Sequence, residues 1–177
     1  ESRYSELEYQ ERIDITYPEY IDNILNKGSA LFECALSLGA VLSNNLHNLE
    51  NNIQELARSI SLSIKMKKDI SQIWTDSSSE DQNYALNKTK LIPVIIALEN
   101  ESVSYKRMIG EIYFKRVLEK DDLNNLRKIL DELNIKKRSY NILNKSSENA
   151  IKIIENESII QPKNKPLLLD LIKWIVN

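Results

Sequence analysis

Hydrophobic residues recur at helical spacing along most of the chain. From Ile21 onward, apolar or small residues follow one another at steps of three or four positions, which marks one face of an α-helix. The pattern keeps its phase to Trp74 and stops at a polar, serine-rich run. Thr16, with Glu19 three residues later, has the spacing of a capping box at a helix start. The pattern therefore predicts one long helix over about residues 17–74, and the alternative is a break around Gly39 or at Ser43, Asn44 and Asn45.

Two more long stripes and a short one follow the polar run. Pro93 lies early in the second stripe, where it either kinks a helix or marks its true start. Asp121 opens the third stripe, and Pro166 opens a short, almost wholly apolar segment. The sequence predicts an all-α protein, an elongated antiparallel bundle of three long helices (about 17–74, 80–119 and 121–157) plus a short C-terminal helix (166–176). Residues 1–15 are expected to form an N-terminal arm, and 16–177 a single helical-bundle domain.

The unequal lengths of these helices suggest an unpaired segment. A helix over residues 17–74 would be about 87 Å long, at about 1.5 Å per residue. A shorter antiparallel second helix would return only to about residue 35, which leaves earlier apolar residues without a partner in the chain. Exposed apolar stripes of this size are interaction surfaces. Unless residues 1–15 fold back over them, we expect pairing with a second copy or another helical protein through Ile21, Leu25, Leu31 and Phe32.

Composition narrows the classes of function. The chain has 177 residues, with 3 Gly, 4 Pro, 1 Cys, 1 His and a formal net charge of −2. So few glycines cannot form a dinucleotide-binding or Walker loop, and one Cys with one His cannot form an ordinary zinc site. The near-neutral charge argues against a nucleic-acid partner. We therefore expect no cofactor, no metal and no nucleic acid.

Four residues could carry chemistry, and each has a simpler structural explanation. Cys34 lies in an apolar stretch and is expected to be an inert, buried cysteine of a core or interface. His47 stands alone among asparagines, and a solvated or locally hydrogen-bonded histidine is the favoured interpretation. Asp121 and Asp122 look like caps of the third helix.

The aspartate pair is also similar to the paired-aspartate magnesium motif of all-helical prenyl-transfer enzymes. Asn125 stands where a third aspartate is expected, and no second acidic motif is visible in the sequence. Because helix capping accounts for both aspartates without a metal, we favour the cap. An enzyme of this type, or a helical hydrolase, is thus the least supported alternative, and we predict no catalytic residue.

These patterns favour a non-enzymatic interaction or scaffold module. The alternative is a membrane-associating helical module, either a BAR-like curvature module or a helical pore-forming toxin component. In the predicted bundle one end carries lysines that could bind anionic lipid, although acidic residues there largely cancel their charge. No signal-like or membrane-spanning segment is visible, so a cytoplasmic location is the default expectation. The candidate lipid-binding residues are Lys65, Lys67, Lys68, Lys88, Lys90 and Lys152.

Overall fold

A computed structural model of the chain describes residues 9, 12, 14–42, 50–75, 86–100, 102–156, 160 and 162–176. All regular structure in these residues is helical, which confirms the all-α prediction. The prediction of three long helices is wrong, because the same residues form shorter helices. The helices are α1 (Tyr17–Leu42), α2 (Glu50–Trp74), α3 (Ile92–Asn100), α4 (Val103–Tyr113), α5 (Lys120–Glu132), α6 (Ile135–Asn156) and α7 (Lys165–Val176).

The chain divides into two compact units. The first unit comprises Glu1–Ile21 and Lys68–Tyr140, and the second comprises Asp22–Lys67 and Asn141–Asn177. In the first unit α3 is almost completely buried. In the second unit apolar faces of α2, α6 and α7 form a core of Leu56, Ile60, Ala150, Ile154, Ile172 and Ile175. Tyr9 and Ile15, which the sequence analysis assigned to an arm, are both buried.

Within the second unit α1 and α2 run antiparallel, so the single helix predicted over 17–74 is wrong. Near one end a guanidinium nitrogen of Arg58 lies 3.1 Å from a carboxylate oxygen of Asp22. Near the other end Ala40 packs with Ile53. On one continuous helix residues 22 and 58 would be about 54 Å apart, at about 1.5 Å per residue. Residues 43–49, which join the two helices, lie outside the described residues.

The other predicted helices are also interrupted. The second corresponds to α3 and α4, and the third corresponds to α5 and α6. Between α5 and α6 the backbone of Asn134 has a positive φ of 54°, the left-handed conformation that asparagine tolerates better than most residues. The short terminal helix, predicted over 166–176, is present as α7.

The helix starts follow local capping chemistry. The backbone N–H of Glu19 donates to the hydroxyl of Thr16 at 3.4 Å, which fits the predicted start of α1. Pro93 is the second residue of α3, where a missing N–H leaves no hydrogen bond unmade. Of the two alternatives given for Pro93, the structure supports the helix start.

The chain itself covers most of the residues that were expected to lack a partner. Ile21 and Leu25 are buried, and Phe32 packs against the core of the second unit. Of these four residues, only Leu31 is largely exposed to solvent, at 81%. The expectation of an uncovered stripe is wrong because it depended on a continuous first helix.

Candidate functional site

Among the described residues of the first unit, three ionisable side chains are no more than 4% exposed. Asp69 is 0% exposed, Lys90 is 2% exposed and Tyr113 is 4% exposed. Aspartate and lysine are almost never fully buried unless a partner compensates the charge. Buried groups with shifted pKa values are concentrated at functional sites, which makes this centre the main candidate.

Asp69 belongs to α2 and caps the start of α3. One oxygen of its carboxylate accepts a hydrogen bond of 2.8 Å from the backbone N–H of Ile92. Ile92 is the first residue of α3, whose N–H groups have no acceptor within the helix. The negative charge also lies at the positive end of the helix dipole. The carboxylate of Asp69 is thus engaged in holding α3 in place.

Lys90 lies two residues before α3 and is fixed by two contacts. Its backbone carbonyl accepts a hydrogen bond from the hydroxyl of Tyr20. Its ammonium lies over the ring of Tyr113, 3.7 Å from the ring centroid, which is a cation–π contact. Among the described residues no carboxylate lies within ion-pair distance of this ammonium.

The pKa values at the centre reflect this burial. The pKa of Lys90 is lowered to about 8, because burial disfavours the ammonium and because Lys88 repels it. The pKa of Tyr113 is raised, first by burial and then by the negative charge of Asp69. At neutral pH Lys90 is therefore an ammonium and Tyr113 a neutral phenol.

The arrangement is suited to binding an anion. A buried ammonium without a carboxylate partner is costly, and an incoming anion would compensate its charge. Lys88 adds a second positive charge, and its backbone has the left-handed φ of 59°. Such a backbone is strained for a residue with a side chain, and strain of this kind often occurs at ligand sites.

Asp121 and Asp122 lie at the start of α5, as the capping prediction expected, but Glu119 is the residue in the N-cap position. One oxygen of Asp122 accepts a bond of 3.1 Å from the backbone N–H of Glu119. The other lies 2.5 Å from the ammonium of Lys115, which lowers the pKa of Asp122. Asp121 is exposed.

This aspartate pair does not fit a magnesium ion. Both oxygens of Asp122 already accept hydrogen bonds, and the neighbouring ammonium of Lys115 would repel a cation. Across the described ranges no group of three His, Cys, Asp or Glu side chains is placed to hold a metal ion. Magnesium prefers several oxygen ligands in octahedral geometry, which this pair does not offer.

The remaining candidate residues are dispersed. Cys34 is exposed, so the expectation of a buried cysteine is wrong. His47 lies outside the described residues. Lys90 is buried, and the ammonium of Lys67 donates to the carbonyl oxygen of Val176 at 2.7 Å, so the six lysines are not one exposed lipid-binding set.

In the described part of the chain no helix is long and apolar enough to span a membrane.

Sequence reasoning missed the buried centre. Asp69 follows Lys67 and Lys68 in a mixed polar segment, so nothing in its local sequence indicates that it is buried. The sequence gives a signal for Lys90 alone, which immediately precedes eight apolar or proline residues. A charge in such a position is either paired or functional.

The chain is similar in sequence to archaeal synthases, although no family model matches it. It is 24% identical over 168 residues to the geranylgeranyl diphosphate synthase of Saccharolobus solfataricus, covering 93% of this chain and 49% of that protein. The identity is also 24%, over 154 residues, with the synthase of the same name from Sulfolobus acidocaldarius, covering 85% and 46%. The chain spans about half the length of the curated relatives it matches.

The fold matches a little over half of the chain of solved polyprenyl synthases. A polyprenyl synthase from Roseobacter denitrificans superposes with a TM-score of 0.84 at 15% identity, over 99% of this chain and 57% of that one. A geranylgeranyl pyrophosphate synthetase from Pyrococcus horikoshii gives 0.83 at 18% identity, over 99% and 54%.

These similarities overturn the predicted function. The relatives and the structural neighbours are synthases, which are enzymes. The predictions of a non-enzymatic scaffold, of a membrane-associating module and of a chain that is not an enzyme are therefore contradicted. The error arose because the capping explanation of Asp121 and Asp122 was taken as an argument against an enzyme. Helix capping is equally compatible with an enzyme and with a scaffold.

Proposed function

We propose that this chain takes part in the synthesis of polyprenyl diphosphates and binds the diphosphate group of such a molecule at Lys90. Two similarities support the proposal. The fold follows polyprenyl synthases over 99% of the chain, and the curated relatives are named geranylgeranyl diphosphate synthases.

One observation points to Lys90 as the residue that binds the diphosphate. The ammonium of Lys90 is buried against Tyr113 and has no carboxylate partner in the described part of the first unit. A polyprenyl diphosphate carries its negative charge on the diphosphate and is apolar elsewhere. Charge-assisted hydrogen bonds from an ammonium to phosphate oxygens are among the stronger polar contacts in proteins.

The test is a binding measurement on the chain with geranylgeranyl diphosphate. Isothermal titration calorimetry should show binding, and geranylgeraniol, which lacks the diphosphate, should bind at least about tenfold more weakly, a difference of about 1.4 kcal/mol. Lys90→Met keeps an unbranched side chain of similar size and removes the charge, so it should weaken diphosphate binding by at least about tenfold.

Lys128→Met is the matched control, because Lys128 is an exposed lysine of α5 in the same unit. It should bind geranylgeranyl diphosphate as the unmodified chain does, and circular dichroism should show both variants folded. Equal binding of the diphosphate and the alcohol, or normal binding by Lys90→Met, would contradict the proposal.

A further inference from the structure

We infer that the chain binds the diphosphate group without a divalent cation, using ammonium groups in place of the metal. This inference rests on the proposed function and adds the way in which the charge of the diphosphate is neutralised. Three features of the first unit lead to it.

The first feature is that the buried carboxylates already have partners. Asp69 accepts the N–H of Ile92 and caps α3. Asp122 accepts bonds from Lys115 and from the backbone of Glu119. A magnesium ion would need oxygen ligands that are free to turn toward it, and recruiting either carboxylate would break a helix cap.

The second feature is the sign of the charge at the candidate site. Lys88 lies close enough to Lys90 to repel its ammonium. A divalent cation placed beside these two lysines would be repelled by both of them. The carboxylate of Asp69, whose charge acts on Tyr113, already accepts the N–H of Ile92. A diphosphate would be attracted by the charges of the two lysines.

The third feature is the contact between Lys90 and Tyr113. The ring holds the ammonium in a defined position, 3.7 Å from its centroid, without neutralising the charge. The phenol stays neutral because its pKa is raised. The positive charge is therefore preorganised for an anion.

The first experiment uses the whole chain and inorganic diphosphate as the probe. Asp76, Glu80 and Asp81 lie outside the described residues, and titration of the whole chain includes any contribution from them. Calorimetric titration in EDTA should show binding at least as strong as in millimolar MgCl2, since magnesium competes for the probe. Binding that requires MgCl2 would overturn this inference and leave the proposed function standing. No binding in either buffer would overturn both.

The second experiment measures the metal alone. Electron paramagnetic resonance of Mn²⁺ should show the spectrum of the free ion when the chain is added in excess. Asp122→Asn and Asp69→Asn should leave that spectrum unchanged. A bound-ion spectrum that either substitution abolishes would overturn the inference. Circular dichroism of both variants separates loss of a ligand from loss of the fold.

Discussion

The ammonium of Lys90 combines burial, a positive charge and an aromatic neighbour in one side chain. In water its pKa would be 10.5, and in the folded chain it is lowered to about 8. Each pKa unit corresponds to about 1.4 kcal/mol, so keeping this amine charged costs the folded state about 3 kcal/mol at neutral pH. A residue that destabilises the free protein in this way is typical of a binding site.

This cost leads to a prediction about stability. Between pH 8 and 10.5 the unfolded chain holds the proton of Lys90 more tightly than the folded chain does. Stability therefore contains a contribution from Lys90 that increases as the pH rises through this range. Lys90→Met should raise the free energy of unfolding at neutral pH by about 1 kcal/mol, after loss of the cation–π contact.

Urea unfolding near neutrality and at about pH 9 tests this sign. The gain from Lys90→Met should shrink at the higher pH, whereas Lys128→Met should change little at either pH. If Lys90→Met instead lowers the free energy of unfolding by the same amount at both pH values, the account is contradicted.

Local chemistry was predictable from the sequence at the residue level, but burial was not. The cap at Thr16 follows from spacing alone, because its partner atom is within three residues. The spacing also predicts a helix start near Asp122, although Glu119 rather than either aspartate is the N-cap residue. The contacts of Lys90 with Tyr113 and Tyr20 join residues that are 23 and 70 positions apart. Nothing in local spacing specifies such contacts.

At the level of elements, α3 depends on a cap supplied by another helix. Asp69 of α2 accepts the first N–H of α3, so the two elements hold each other in place. The sequence could not indicate this, because the usual capping position is the residue just before the helix.

Replacement of Asp69 should therefore weaken the fold. Asp69→Ala should lower the free energy of unfolding by about 1–2 kcal/mol, through loss of the cap. Asp69→Asn keeps an oxygen acceptor and should lose less. Urea unfolding of the two variants measures the difference, and equal stability of both would argue against a capping role.

The reversal between α1 and α2 shows why periodicity alone is insufficient. Both helices present an apolar face to the same core, so the three-and-four spacing remains in phase across their connection. The spacing of apolar residues reports the face of a helix and contains no information about chain direction.

At the scale of the molecule, the antiparallel pairing of α1 and α2 in the second unit can be tested directly. An added Cβ at Gly28 would lie 3.9 Å from the Cβ of Ser61, which is within the range of a disulfide. In a Cys34→Ser background, Gly28→Cys with Ser61→Cys should form an intramolecular disulfide. On one continuous helix the two positions would be about 50 Å apart.

Gly39→Cys with Ser61→Cys is the matched control, because a Cβ at Gly39 would have no neighbour within 4 Å. Gel mobility and thiol titration after mild oxidation report the cross-link. Absence of the disulfide in the Gly28 pair, or equal cross-linking of both pairs, would contradict the fold described above.

The class of fold was predictable from composition and patterning, whereas the kind of protein was not. Few glycines, helical spacing and capping residues indicate an all-α chain. Synthases, scaffolds and membrane modules share these properties. The kind of protein was indicated by comparison of the fold and the sequence with known proteins, and not by individual residues.

The central claim is that the buried ammonium of Lys90 binds a diphosphate group. The most direct measurement is the pKa of Lys90 itself, by NMR of chains carrying ¹³C-labelled lysine, with the signal assigned through Lys90→Met. The free chain should give a pKa of about 8, and saturating inorganic diphosphate in EDTA should raise it by about one unit or more. A pKa that diphosphate leaves unchanged would contradict the account.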